Sequence, residues 1–225
     1  MMNTVRVWDL PTRLFHWALM LCVAGLLITG NIGGNWMNWH LRLGYTVLTL
    51  LLFRLVWGFA GGYWSRFSSF LYSPVTVWRY LRGQGQPEHE VGHSPIGALS
   101  VWAMLLVLLV QVGTGLFSDD EIAYFGPLVS LVSGDVVSQA TAYHKQWGKF
   151  FVLGLIVLHL LAIALYQLVW KRSLVKPMVV GNKQLPESHP NAQDNGRTRL
   201  LALVVLCLCA VAVNRLIALG NTTTF

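Results

Sequence analysis

Residues 143–170 read YHKQWGKFFVLGLIVLHLLAIALYQLVW. After Lys149 this stretch has no Asp, Glu, Lys or Arg. A hydrocarbon core of about 30 Å takes roughly 20 helical residues, so the run is long enough to cross it. Two histidines punctuate it, His144 at one end and His159 fifteen residues further on. Four other runs have similar length and composition: residues 11–30, 40–60, 95–117 and 199–219. The expected fold is an all-α membrane protein. A four-helix transmembrane bundle is followed by a fifth, C-terminal transmembrane helix. Pro11 and Pro95 fall where a first helical turn tolerates proline.

Composition points the same way. Of 225 residues, 55% are hydrophobic and 11% charged, against about 25% charged in a soluble domain. Such a chain cannot cover a water-facing surface, and a mean hydropathy of +0.55 rules out disorder. Of its 10 Trp, 10 Phe and 7 Tyr, many lie near the ends of the apolar runs, where a membrane interface holds aromatic rings. The net charge of +7 reads as loop charge that sets topology, not as a nucleic-acid footprint. Arg66, Arg79 and Arg82 lie between spans two and three. Lys171, Arg172, Lys176, Lys183 and Arg197 lie between spans four and five. The opposite loops have no Lys or Arg, and residues 118–142 carry Asp119, Asp120, Glu121 and Asp135. The positive-inside rule then puts the N-terminus in the cytoplasm and the C-terminus outside. The first run is long and holds a histidine, so it reads as a span and not as a cleaved signal.

The expected organisation is a bundle over residues 1–172, a cytoplasmic linker over 173–198 and the added helix over 199–219. Within the loop 61–94, residues 74–81 read as an interfacial amphipathic helix. Val75, Val77, Trp78 and Leu81 would face the membrane, with Arg79 and Arg82 toward headgroups. Residues 83–92 read as a flexible turn. Residues 181–196, polar and with Pro186 and Pro190, read as a mobile linker. Cys22, Cys207 and Cys209 all lie inside apolar runs and no CxxCH is present, which excludes covalent haem and a thiolate cluster.

Of the seven histidines, His16, His40, His144 and His159 lie in or at the ends of apolar helices, where an ionisable group is costly unless it has a function. The fifteen residues between His144 and His159 span roughly 22 Å of helix. At ~100° per residue the two imidazoles project from similar faces. Depth pairs His40 with His144 near the outer surface and His16 with His159 near the inner one. Two imidazoles at matched depth on different helices are what axial ligation of a haem iron needs, and a bundle core is where such a group sits. Zinc wants three or four ligands at one point. A proton relay would favour carboxylates at depth, and no span interior has one. Gly44 and Gly148 each follow a candidate ligand by four residues, and Gly25, Gly30, Gly113 and Gly115 thin spans one and three. They suit either close approach of a macrocycle or ordinary small-residue packing. Arg42, Lys145 and Lys149 near the outer pair read as propionate partners or as interfacial anchors. Arg13 and Arg54 are the inner counterparts.

Five segments carry a family resemblance. VWDLPTRLFHW (7–17), HLRLGY (40–45), FRLVWGF (53–59), GHSPIGA (92–98) and HKQWGKFFV (144–152) with His159 together resemble the bacterial cytochrome b561 / nickel-hydrogenase b-type cytochrome subunit superfamily. The similarity covers residues 5–170, while the fifth span departs from the four-span core. The resemblance implies two non-covalent haem b groups, one histidine from span one, one from span two and two from span four. It implies residence in the bacterial inner membrane and electron exchange between the quinone pool and a partner outside it. That partner would be a nickel–iron hydrogenase, a c-type cytochrome, or superoxide itself.

The leading expectation is therefore a quinone-linked di-haem electron carrier in the bilayer, with no nucleic-acid role and oligomeric state open. The inner haem, beside Arg13, the 61–94 loop and His93, is the expected quinone location. A superoxide:quinone oxidoreductase is one alternative, with Arg42, Lys145 and Lys149 attracting the anion. A non-redox helical adaptor is the other.

Overall fold

A computed structural model describes residues 2–221. A short strand β1 (Asn3–Arg6) leads into helix α1 (Leu10–Ile32). Asp9 caps α1, accepting from Thr12 N–H at 2.8 Å, a standard use of a carboxylate at a helix start. Gly33 and Gly34, at φ 71° and 55°, make a left-handed turn that residues with a Cβ rarely adopt. Helix α2 (Met37–Ala60) follows. Helix α3 (Pro74–Leu81) has Pro74 at its first position and a Ser73 cap, and matches the expected amphipathic segment. Val75, Trp78 and Leu81 are exposed, and the Arg82 guanidinium lies 4.7 Å over the Trp78 ring.

Helix α4 (Pro95–Gly115) precedes a continuous helical run over Gly134–Leu168. That run comprises α5 (Gly134–Ala142), a π-helical turn (Tyr143–Gly148) and α6 (Lys149–Leu168). It starts nine residues earlier than the apolar pattern indicates, because GDVVSQATA mixes polar and apolar residues and reads as loop. Helix α7 (Val175–Val180), strand β2 (Asn182–Leu185) and helix α8 (Gly196–Asn221) complete the chain. Among the described residues, five helical runs are long and apolar enough to cross a membrane.

The chain divides into two compact units. The first comprises Met1–His16, Arg54–Ala103 and Leu155–Val204; the second comprises Trp17–Phe53, Met104–Gly154 and Val205–Phe225.

In the first unit the segment expected to be a mobile linker is instead held in place. Strand β2 pairs antiparallel with β1, Asn3 opposite Leu185 and Arg6 opposite Asn182. Beneath the pair, Val5, Val7, Trp8, Trp64, Val91, Leu185 and Ala192 form an apolar core. Asp194, with a side chain 1% exposed, meets Arg6 at 2.6 Å and Arg199 at 2.8 Å. Burial alone would raise this carboxyl, but Arg199 and Arg6 more than offset it and hold it below the ordinary range. Part of the polarity of residues 181–196 serves these long-range pairs, while positions such as Gln184, Glu187 and Gln193 face solvent. Residues 83–92 are likewise less open than expected. They contain a short turn (Pro87–Glu90) with His89 buried, and Gln86 N–H donates to His89 Nδ1 at 3.1 Å.

The second unit has its own loop order. Asp120 accepts from the N–H groups of Ile122, Ala123 and Tyr124 at 2.8–3.0 Å. Those backbone donors hold its carboxyl below the usual range. Ser130 Oγ donates to the Gly220 carbonyl near the end of α8.

Candidate functional site

Four histidines project from three helical runs, and each compact unit brings two of them together. In the second unit, His40 of α2 and His144 of the π-helical turn have ring centroids 6.1 Å apart, with planes crossing at 86°. In the first unit, His16 of α1 and His159 of α6 have ring centroids 6.4 Å apart, tilted by 52°. Two metal–imidazole bonds of about 2 Å each, plus the ~1 Å from each nitrogen to its ring centre, set a separation of about 6 Å. Both pairs fit a single iron held between them.

The tautomer in the second unit fits as well. His144 Nδ1 lies 2.8 Å from the Gln111 carbonyl, and His40 Nδ1 lies 3.1 Å from the Leu26 carbonyl. A carbonyl only accepts, so Nδ1 carries the proton and Nε2 keeps its lone pair for a metal. Gln111 also donates from Nε2 to the His144 carbonyl at 3.0 Å. A π-helical turn at such a residue is typical of functional positions.

The first unit supplies a buried cation. Arg54 is 3% exposed. Its guanidinium sits 4.8 Å over Phe67, and its Nη1 has no hydrogen-bond partner among the described residues. A buried donor of this kind suits an anionic group such as a haem propionate.

Several residues singled out in the sequence have different surroundings from those expected. Arg13 donates to the Val179 carbonyl at 2.6 Å and approaches Asp194 at 3.9 Å. Arg6 and Arg199 already pair with that carboxylate, and the buried Arg13 Nε has no hydrogen-bond partner among the described residues. The His93 ring lies between Trp8 at 4.7 Å and Phe70 at 4.5 Å. Burial, aided by the Arg54 charge, pushes its pKa down to about 3, and its buried Nδ1 has no hydrogen-bond partner among the described residues. Gly148 faces the Gln111 carboxamide and the Tyr143 ring, not open space for a macrocycle. Around Gly44 an added Cβ would meet nothing within 4 Å. Arg42 lies 5.4 Å over the Trp39 ring, Lys149 donates to Asn31 at 3.0 Å, and Lys145 is exposed.

One residue that the sequence reading passed over organises the first unit. Asp9 is fully buried. Besides Thr12, it accepts from Trp57 Nε1 at 3.2 Å, Gly62 N–H at 3.0 Å and Ser65 Oγ at 2.8 Å. Its place between two apolar residues just before Pro11 was the available signal.

Known proteins resemble the chain over these same elements. It is 28% identical over 154 residues to the "Probable Ni/Fe-hydrogenase 1 B-type cytochrome subunit" of Escherichia coli (strain K12). That alignment takes in 54% of this chain and spans 64% of the relative's length. It is 23% identical to the "Probable Ni/Fe-hydrogenase B-type cytochrome subunit" of Azotobacter chroococcum mcd 1, over 84% of this chain and 92% of that one. With the similarly named protein of Cupriavidus necator it shares 24% identity, over 78% of this chain and 85% of the relative. The family model described as prokaryotic cytochrome b561 matches residues 7–181, and so includes all four paired histidines. The chain therefore belongs to the prokaryotic cytochrome b561 family, multi-pass membrane cytochromes of the haem b type.

Proposed function

We propose that the chain is a di-haem electron-transfer subunit linking the membrane quinone pool to a redox partner on the opposite side. His40 with His144, and His16 with His159, would be the axial ligands of two haem b groups. The observation that carries this reading is the pair of imidazole couples, at 6.1 and 6.4 Å. Haem held by these imidazole pairs would supply one-electron chemistry and would keep no open site for oxygen. The chain's own residues fix ring orientation, keep Nδ1 protonated in the His40–His144 pair, and exclude water.

A cavity of about 850 Å³ in the first unit supports the quinone reading. It is lined by Ile96, Ala162, Leu165, Tyr166, Trp170 and Tyr80, among others. Ala162 and Tyr166 follow His159 by three and seven residues, hence on the same helical face. The Tyr80 and Tyr166 hydroxyls are 3.1 Å apart. Burial and the Tyr166 hydrogen bond push the Tyr80 phenol up to about 12, so it stays protonated and could donate to a quinone carbonyl. At the cavity edge Glu90, a half-exposed carboxylate, pairs with Arg172 at 2.6 Å. This cavity is a second candidate quinone location beside that of Arg13 and His93. Loop charge supports a cytoplasmic N-terminus and a periplasmic end for α8. The relatives' names favour a nickel–iron hydrogenase as partner over a c-type cytochrome. The superoxide and adaptor readings gain no observation: Arg42 lies on Trp39 and Lys149 on Asn31.

The test is haem content. Fully loaded protein should return two protohaems per chain by pyridine haemochromogen assay. His144→Ala and His159→Ala should each remove a different one. One haem or none in the loaded parent would refute the proposal.

A further inference from the structure

The sequence repeats a Thr-Gly pair, Thr29-Gly30 in α1 and Thr114-Gly115 in α4, and each pair lies against one histidine of the same couple. A Cβ added at Gly30 would come within 2.9 Å of His40 Cε1 and 3.1 Å of its Nδ1. One added at Gly115 would come within 2.8 Å of His144 Cε1 and 3.1 Å of its Nδ1. These glycines are not merely thinning the helices. Gly113, two residues away in α4, has nothing within 4 Å of the same construction.

In an α-helix the carbonyl of residue i is bonded by the N–H of residue i+4, so the side chain at i+4 flanks it. Gly30 is residue i+4 to Leu26, and Gly115 is residue i+4 to Gln111. Those are the two carbonyls that receive the imidazole Nδ1–H groups, at 3.1 Å from His40 and 2.8 Å from His144. The preceding threonines bond back into the same turns. Thr29 Oγ1 donates to the Gly25 carbonyl at 2.7 Å, and Thr114 Oγ1 to the Val110 and Gln111 carbonyls at 2.9 and 3.0 Å. Such back-bonding tends to bend a helix and tip a carbonyl outward.

We infer that Gly30 and Gly115 are matched positioning residues for the His40–His144 couple. Each opens a helix carbonyl to a facing imidazole, which fixes the ring's rotation and raises its basicity toward iron. The inference rests on the di-haem reading.

The experiment is a spectroscopic redox titration of purified, haem-loaded Gly115→Ala and Gly30→Ala proteins, with Gly113→Ala as control and His144→Ala in parallel. An added methyl pushes the imidazole off the carbonyl. The weaker donor then favours ferric iron less, and the midpoint potential of that one haem moves positive. Its low-spin resonance shifts with it, while the other haem keeps the parental potential. Loss of the His40–His144 haem alone in either alanine variant also supports the inference. Both variants titrating like Gly113→Ala, or losing both haems together, overturns it. His144→Ala retaining two haems would instead overturn the ligand assignment, a separately visible failure.

Discussion

The imidazole planes of His40 and His144 cross at 86°, close to perpendicular. Those of His16 and His159 are tilted by only 52°. Ligand planes that cross at right angles keep the two iron orbitals of π symmetry nearly equal in energy, and a smaller angle splits them. Low-temperature electron paramagnetic resonance of the oxidised protein should therefore resolve two low-spin species. The more anisotropic one should be lost in His144→Ala and the less anisotropic one in His159→Ala. Two signals of equal anisotropy would contradict the difference in ring geometry.

Removing the Asp9 carboxylate should loosen the first unit. Thr12 N–H, Gly62 N–H, Trp57 Nε1 and Ser65 Oγ all donate to it. Asp9→Ala leaves these buried donors without an acceptor, at a cost of roughly 3 kcal/mol or more. Thermal release of haem in detergent should begin at lower temperature in the variant. An unchanged melting curve would mean that another acceptor takes over the cluster.

His93 gives a pH dependence with a definite sign. Packed, its pKa is pushed down from 6.5 to about 3 by burial and the Arg54 charge. Exposed, it takes a proton near its ordinary value. Between these values the opened state binds more protons, so stability falls as pH drops through the window and is level above it. The parent should lose thermal stability from about pH 7 to about pH 5 more steeply than His93→Gln. Equal slopes would assign the acid sensitivity to other groups.

The Tyr80 hydroxyl can be tested by deletion. Tyr80→Phe keeps the ring that lines the cavity and removes the hydroxyl assigned to the quinone carbonyl. Losing one hydrogen bond near 1.4 kcal/mol should raise the KM for a short-chain quinol about tenfold. Both haems should keep their reduced spectra with dithionite. An unchanged KM would move the quinone elsewhere.

The spans and the paired histidines were legible because their signals are local and periodic. An apolar run reports a helix, and the fifteen-residue interval from His144 to His159 reports a shared face. What escaped is built from residues far apart in the chain. Nothing near Asn182–Leu185 announces a partner strand at Asn3–Arg6. Nothing near Asp194 announces Arg6 and Arg199 as its counter-charges. A polar segment that satisfies distant partners has the same composition as one that faces water. The start of the fourth helix at Gly134 was hidden for a related reason. Its first nine residues mix polar and apolar side chains although helical, and apolar content reports only the part able to enter lipid.

Pairing of β1 with β2 also has a consequence for biosynthesis. Strand Asn3–Arg6 leaves the ribosome early, while its mate Asn182–Leu185 is made only after the first four spans. At ~5–20 residues per second, the roughly 180 residues between them take about ten to forty seconds to translate. During that interval the leading strand has an open edge, exposed to chaperones and proteases. A bulky fusion placed just ahead of it would compete with the late-arriving mate and delay maturation of the membrane-embedded chain.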